Sequence, residues 1–183
     1  MTLQILISTI DSGIEKIKDI LLPARSDVTY IVSHQYQSEE FKYIPEILNR
    51  EDVLVSQISG KGLSKSRNHA ISIATSDICL ISDDDVRYTN EYLDTIIHVF
   101  QEKKPDVALF KIKTNDGESE YKNYPEHEYQ IGLDNMHWPS SIEIAFNTSS
   151  VMGTIYFDER FGLGSYLIGG EEYFFIRDSI EKG

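Results

Sequence analysis

Blocks of apolar residues recur along this chain, and their length and spacing predict a series of β-strands. Residues 3–8 (LQILIS) form a nearly continuous apolar run of strand length. A run of this kind is typical of a strand whose sheet is covered on both faces. The same pattern predicts four further strands, over residues 28–33, 53–58, 77–82 and 106–112.

Between these strands the apolar residues change to helical spacing. Ser12 and Glu15 have the spacing of a capping box, so a helix is predicted to begin there and to end before Pro23. The clearest helix is predicted from Thr89 or Asn90 to just before Pro105, because acids open it and lysines close it. Further helices are predicted over residues 39–49, over 64–74 with Ser64 as the cap, and over 171–181.

Strands that alternate with helices in this way predict an α/β fold, with a mostly parallel, Rossmann-like sheet and helices on both faces. Ligands of such sheets bind beyond the carboxyl ends of the strands. The second half is less regular: we expect an exposed acidic loop over residues 115–128, one or two strands within 138–151 and a Gly-rich loop over 157–170. Because the chain stops directly after the last helix, we expect that a C-terminal segment is missing.

Length, composition and charge limit the kinds of partner and of functional site that we expect for this chain. A length of 183 residues fits one domain, and a formal net charge of −13 argues against a nucleic-acid groove, which needs clustered Lys and Arg. No apolar run reaches the ~18 residues that span a bilayer, and no signal peptide precedes the first strand, so we expect a cytoplasmic domain. The single cysteine, Cys79, lies in an apolar run and is predicted to be a buried hydrophobe.

The acidic triplet Asp83-Asp84-Asp85 follows the fourth predicted strand. Adjacent carboxylates repel one another unless a positive charge lies between them, and a hard divalent cation prefers oxygen ligands. Side chains alternate along extended backbone, so only one or two of the three can face one ion. A solvated acidic turn that caps the next helix is the alternative, but the position at the end of a buried strand favours a metal site.

Two glycine-containing segments carry further candidate residues. Lys61, Gly62 and Arg67 lie where a loop enters a helix, and backbone amides with basic side chains at such a place could bind phosphate. A surface loop with incidental basic residues is equally compatible with that segment. Gly170 precedes the acids Glu171 and Glu172, either of which could serve as a general base or cap the helix that follows.

In this order, these segments resemble the family 2 glycosyltransferases of the GT-A fold, and the resemblance covers nearly the whole chain. The first strand followed by Ser8-Thr9-Ile10-Asp11 is similar to the family's nucleotide-binding turn. The other matching segments are GLSKSRN at residues 62–68, ISDDD at 81–85 as the metal motif, FDERFG at 157–162 and GEEY at 170–173.

The resemblance implies one GT-A domain over residues 1–183, with a nucleotide-sugar-binding half (1–112) and an acceptor-side half (113–183). It implies transfer with inversion from a nucleoside-diphosphate sugar, with Mn²⁺ or Mg²⁺ held by Asp83 and Asp85. Glu172 is the implied base by its place in the motif, although the family usually has Asp there, and Glu171 is the alternative. Donor binding is assigned to Thr9, Asp11, His34, Lys61, Gly62, Arg67, Asp83 and Asp84. Acceptor binding is assigned to Gly170 and to Trp138, the only tryptophan, which could stack on a sugar ring or equally pack in a core or an interface.

The resemblance also implies the partners. The donor is a nucleoside-diphosphate sugar and the acceptor a glycan or a lipid-linked molecule, with peripheral association at the inner face of a membrane and a role in surface polysaccharide or glycan synthesis. His34 stands where the family usually has an Asp that contacts the base, so the nucleobase stays open. The alternatives are a non-catalytic nucleotide- or sugar-binding module and a metal-dependent phosphatase, although Arg87 stands where the phosphatase motif needs Thr or Val.

Overall fold

Six strands form one sheet in the order β3-β2-β1-β4-β6-β5 in the computed structural model, which describes residues 1–115 and 117–182. Asp116, in the predicted acidic loop, and Gly183 lie outside the described residues. The strands are β1 (Leu3–Ile10), β2 (Val28–Tyr36), β3 (Val53–Ser59), β4 (Ile78–Asp83), β5 (Val107–Leu109) and β6 (Ile144–Asn147). The helices are α1 (Leu63–Ser72), α2 (Asn90–Lys103), α3 (Thr148–Val151) and α4 (Glu171–Lys182).

The mostly parallel sheet is confirmed, with one antiparallel strand inserted. Strands β1 to β4 pair in parallel, and β6 lies antiparallel between β4 and β5. The strand predicted over residues 106–112 is only three residues long in the structure, and it forms one side of the sheet as its last strand. Because β6 contributes only four residues, its apolar pattern is too short to reveal this insertion.

Helices cover both faces of the sheet, as predicted. On one face, Ile17 of a 3₁₀ segment and Phe100 of α2 pack with Ile5 and Leu80. On the other face, Ile71 of α1 and Phe175 of α4 pack in a second core. The predicted role of Cys79 as a buried hydrophobe agrees with its complete burial in this second core. Among the described residues, no helix combines the length and the apolar character needed to cross a membrane.

The predicted capping box at Ser12 and Glu15 is wrong. The helical segment is a 3₁₀ helix that begins at Asp11 (Asp11–Asp19), and the residue at its N-cap position, Ile10, makes no side-chain cap. Asp11 has a φ of 49°, and its carboxylate accepts hydrogen bonds from the backbone and the side chain of Gln37. The turn is thus fixed by a tertiary contact that local spacing does not show.

Two other local predictions also differ from the structure. Ser64 does not cap α1: the helix begins one residue earlier, after Gly62, and the Ser64 hydroxyl donates instead to the carbonyl of Phe161. The helix predicted over residues 39–49 is two short 3₁₀ turns, Glu39–Lys42 and Glu46–Leu48, because Pro45 between them cannot continue a helix. The cap at Thr89 is confirmed, since its hydroxyl accepts from the Tyr92 amide at 3.2 Å.

Candidate active site

The site lies at the edge of the sheet that is formed by the carboxyl ends of the parallel strands. There, the ends of β1 and β4 meet the N-terminal parts of α1 and α4. β4 ends at Asp83, so the acidic triplet begins in the last position of a buried strand. Ser8 of β1 lies opposite Asp83 in the parallel register. This edge is where a parallel sheet binds its ligands, and most of the candidate residues lie around it.

Arg67 joins the acidic triplet to the acidic pair of α4. Its side chain is 1% exposed, its Nη1 donates to Glu171 Oε1 at 3.0 Å, and its Nη2 donates to Asp83 Oδ1 at 3.1 Å. Nη2 also donates to the hydroxyl of Ser141 at 2.6 Å. A Glu172 oxygen lies 3.5 Å from Nη1. Carboxylates predicted separately from two distant motifs therefore share one buried guanidinium.

Glu171 and Glu172 differ in their environment, although they are adjacent in sequence. The Glu171 side chain is 4% exposed and holds the closer contact with Arg67, whereas the Glu172 side chain is 15% exposed. Burial, and then the negative charge of Glu171, raise the pKa of Glu172 above its ordinary value. A carboxyl that is partly exposed and has a raised pKa suits a general base better than one locked in an ion pair.

The carboxylate of Asp84 links the end of β4 to β1 and to the helical segment after it through hydrogen bonds. Its Oδ2 accepts from the Thr9 hydroxyl at 2.7 Å, and its Oδ1 accepts from Lys16 Nζ at 3.1 Å. Gly13 makes room for this contact, because a Cβ there would lie 2.3 Å from Asp84 Oδ2. Lys16 is one of two lysines in the helix predicted there, and no sequence motif includes it.

Asp85 is the exposed member of the triplet. Within residues 1–115 and 117–182, no three His, Cys, Asp or Glu side chains are grouped so that they could hold a metal ion by themselves. Asp83, 35% exposed, engages Arg67 through Oδ1. These residues fit a cation that takes one or two protein carboxylates and completes its shell with phosphate oxygens and water.

His34 and Asp11 lie together at the carboxyl ends of β1 and β2. His34 is fully buried, and its ring nitrogens lie 3.0 Å from the Asp11 carbonyl oxygen and 3.0 Å from Gln57 Nε2. Burial lowers the pKa of His34, so the neutral ring is favoured. Gln37, which donates to Asp11, belongs to no sequence motif and joins the site only through this contact.

The start of α1 is less open than the sequence suggested. Lys61 is exposed, and Gly62 has a φ of 127°, a conformation that favours glycine. The first amide of the helix, that of Leu63, donates to the carbonyl of Leu163 at 2.9 Å. Lys61 is therefore available for a phosphate at this turn, whereas this amide is already bonded.

Trp138 stacks on Tyr173, the residue that follows Glu172. The ring centroids are 5.3 Å apart with an interplanar angle of 21°, and Trp138 remains 65% exposed. Gly170, with a φ of 96°, immediately precedes the acidic pair. The structure thus brings both predicted acceptor residues next to α4, and it adds Tyr173, which the sequence marked only as part of a motif.

The family model described as "Glycosyl transferase family 2" matches residues 33–163. The chain belongs to glycosyl transferase family 2. This membership favours the glycosyltransferase interpretation over the phosphatase alternative. The matched residues include Arg67, the acidic triplet and Trp138, and they end before Glu171, which Arg67 contacts directly. No curated protein matches the chain.

Solved structures of TarS from S. aureus share this fold. TarS 1-349 is 19% identical with a TM-score of 0.70, and the match covers 98% of this chain and 55% of that one. A second TarS structure is 20% identical with a TM-score of 0.71, covering 98% of this chain and 33% of the other. TarS 1-349 in complex with UDP-GlcNAc is 18% identical with a TM-score of 0.64, covering 97% and 54%. The family 2 chain described here thus spans about half or less of these relatives, and the predicted GT-A fold is confirmed.

Proposed function

We propose that this family 2 domain transfers a sugar, with inversion, from a nucleoside-diphosphate sugar to an acceptor hydroxyl. The observation that carries the proposal is the buried guanidinium of Arg67, which holds Asp83 and the Glu171–Glu172 pair at the ligand-binding edge of the sheet. The structures of TarS with UDP and with UDP-GlcNAc support the same class of donor.

The donor is proposed to lie between the end of β1 and the acidic triplet. Thr9 and Asp84 are hydrogen-bonded to each other and border this edge, while Lys61 offers an exposed cation for a phosphate. Asp11, with Gln37 beside it, is proposed to lie at the base end. His34 is fully buried with both ring nitrogens partnered, so its proposed role is to hold Asp11 from behind and not to contact the base itself. Asp83 and Asp85 would hold Mn²⁺ or Mg²⁺, and the bound ion would supply positive charge that stabilises the departing diphosphate.

Glu172 is the proposed general base. The deprotonated carboxylate accepts the proton of the acceptor hydroxyl as that oxygen forms its bond to the anomeric carbon and the bond from that carbon to the diphosphate breaks. Attack from the side opposite the leaving group inverts the anomeric configuration. Glu171 is less suited to act as the base, because its Oε1 already accepts a hydrogen bond from Arg67 at 3.0 Å.

Trp138 and Tyr173 are the proposed platform for the acceptor. Trp138 is 65% exposed and stacks on a residue adjacent to Glu172, so a glycan ring packed on its free face would lie close to the base. Aromatic faces combine apolar area with low conformational cost, which suits a sugar ring. A glycan or lipid-linked acceptor, and work at the inner face of a membrane in surface glycan synthesis, belong to this proposal.

Calorimetric titration with UDP and with GDP, each with and without Mn²⁺, tests the donor and the metal together. We expect one of the two nucleotides to bind, and its affinity to fall at least about tenfold either without Mn²⁺ or in Asp85→Ala, because the diphosphate charge then lacks its counter-ion. Asp134→Ala, which changes another exposed aspartate away from the triplet, should bind like the unaltered protein. Binding that ignores both Mn²⁺ and Asp85 would contradict the metal assignment.

A further inference from the structure

We propose that Arg67 is a positioning residue that fixes the acidic pair of α4 against β4, and that it is not a ligand of the donor phosphates. The inference rests on the proposed function, because it concerns how that function's base is held. It departs from what the sequence suggested, namely a basic residue at a loop–helix junction that pairs with phosphate.

The burial of Arg67 separates the two roles. A phosphate ligand must present donors to the cleft, but the Arg67 side chain is 1% exposed and its guanidinium carbon lies 5.3 Å from the centre of the Phe157 ring. Both terminal nitrogens already donate, to Glu171, Asp83 and Ser141. Turning toward a phosphate would leave the buried carboxylate of Glu171 without its charge partner, which is strongly unfavourable.

The charges around Arg67 show what the residue does. Three carboxylates, from Asp83, Glu171 and Glu172, approach one guanidinium, and without it they would repel one another. The planar guanidinium can serve two carboxylates at once through separate N–H groups. It holds Glu171 at 3.0 Å and leaves Glu172 at 3.5 Å with more exposure, so one glutamate is an anchor and its neighbour keeps freedom to act.

The rest of α1 supports the same assignment. The Ser64 hydroxyl donates to the Phe161 carbonyl at 2.7 Å. Asn68 donates to the Phe157 carbonyl at 2.8 Å and accepts from the Phe157 amide at 2.9 Å. Both contacts hold the segment that leads into Glu171. Arg67 is thus one of several α1 side chains that set the position of this segment relative to the sheet.

The substitution Arg67→Lys tests the inference, because lysine keeps the charge but offers a single point donor in place of the planar fork. The probes are UDP and GDP for binding, and UDP-GlcNAc and GDP-mannose for metal-dependent donor hydrolysis. We expect kcat for the donor that is used to fall at least about 100-fold, while its KM and the Kd of its nucleotide stay within about threefold. Arg177→Lys, the same change at a half-buried arginine of α4 that pairs with Asp178, should leave all three values unchanged.

The partner-side variant Glu171→Gln keeps the size and an acceptor atom but removes the charge that Arg67 pairs with. We expect the same fall in kcat with nucleotide affinity retained, and circular dichroism should show that this variant is folded. If Arg67→Lys does not fold, the result for Glu171→Gln decides. An unchanged kcat in folded Glu171→Gln would overturn the inference.

Other results separate this inference from the proposed function. A Kd for the nucleotide that rises at least about tenfold in Arg67→Lys, with kcat retained, would make Arg67 a phosphate ligand and overturn the positioning role. Absence of both nucleotide binding and donor hydrolysis in the unaltered protein would instead overturn the proposed function itself. An intact Kd with a reduced kcat supports the inference.

Discussion

Two neighbouring glutamates are given different properties by a single arginine. Glu171 accepts from Arg67 in a buried pair, whereas Glu172 stays partly exposed with a raised pKa. Identical side chains therefore differ because of their position on α4 and not because of their own chemistry. At the scale of the residue, the environment decides which carboxylate can accept a proton.

The pH dependence of kcat should report the raised pKa of Glu172. A carboxyl acts as a base only when it is ionised, and burial together with the charge of Glu171 raises its pKa above the ordinary 4.5. The rate should therefore rise with pH through this elevated pKa and then level off. The measurement is kcat for the accepted donor between about pH 4 and 8 at saturating substrate.

Glu172→Gln provides the control for that profile. It should lower kcat by about 10²- to 10⁴-fold, because the amide cannot take the proton, and it should remove the rise with pH. Nucleotide affinity should not change. If the rise persists in Glu172→Gln but disappears in Glu171→Gln, the assignment of the base must be exchanged.

At the scale of the element, α1 joins the sheet to the segment before α4. Its polar side chains point at backbone groups almost a hundred residues away, as Ser64 does at Phe161 and Asn68 at Phe157. The helix is only ten residues long, and much of its sequence serves these contacts. These hydrogen bonds explain how a helix with few apolar residues is held in position against the segment before α4.

Asn68→Ala should destabilise the protein by about 1–3 kcal/mol, because both backbone groups of Phe157 lose their partner in a partly buried place. Urea unfolding followed by circular dichroism measures the change in the free energy of unfolding. Asn49→Ala, at an exposed position, should change it by less than about 0.5 kcal/mol. Equal effects of the two substitutions would show that the Asn68 contacts do not stabilise the segment.

The elements that could be predicted from the sequence are those whose signal is local. Buried parallel strands such as β1 and β4 are continuous apolar runs, and α2 carries its own cap at Thr89. The 3₁₀ form of Asp11–Asp19 and the insertion of β6 could not be predicted, since each depends on a distant partner. The motifs located the acidic groups of the site, but Lys16, Gln37 and Ser141 join it only through tertiary contacts.

At the scale of the whole molecule, the surface is strongly acidic. A formal net charge of −13 over 183 residues means that like charges repel one another in the folded state. Some of the basic side chains near the site already form ion pairs with acidic residues, as Lys16 does with Asp84. Long-range repulsion of this kind is reduced when salt shortens the distance over which charges act.

The melting temperature should therefore rise when NaCl is raised from about 10 mM to 150 mM, because the Debye length falls from roughly 30 Å to 8 Å. Differential scanning calorimetry at pH 7 with a chelator present measures the effect of screening without that of a bound divalent ion. A melting temperature that falls with salt would mean that favourable ion pairs such as Arg25–Asp94 outweigh the net repulsion.

The pairing of Arg67 with Glu171 also has a consequence for biosynthesis. The two residues are 104 positions apart. After Arg67 has left the ribosome, synthesis must therefore continue for more than half of the 183 residues before Glu171 leaves it. Until then the growing polypeptide has only Asp83, Ser141 or solvent to accommodate that guanidinium. We expect the sheet to be complete before Glu171 is anchored, so that the acidic pair of α4 takes up its position only after the strands have assembled.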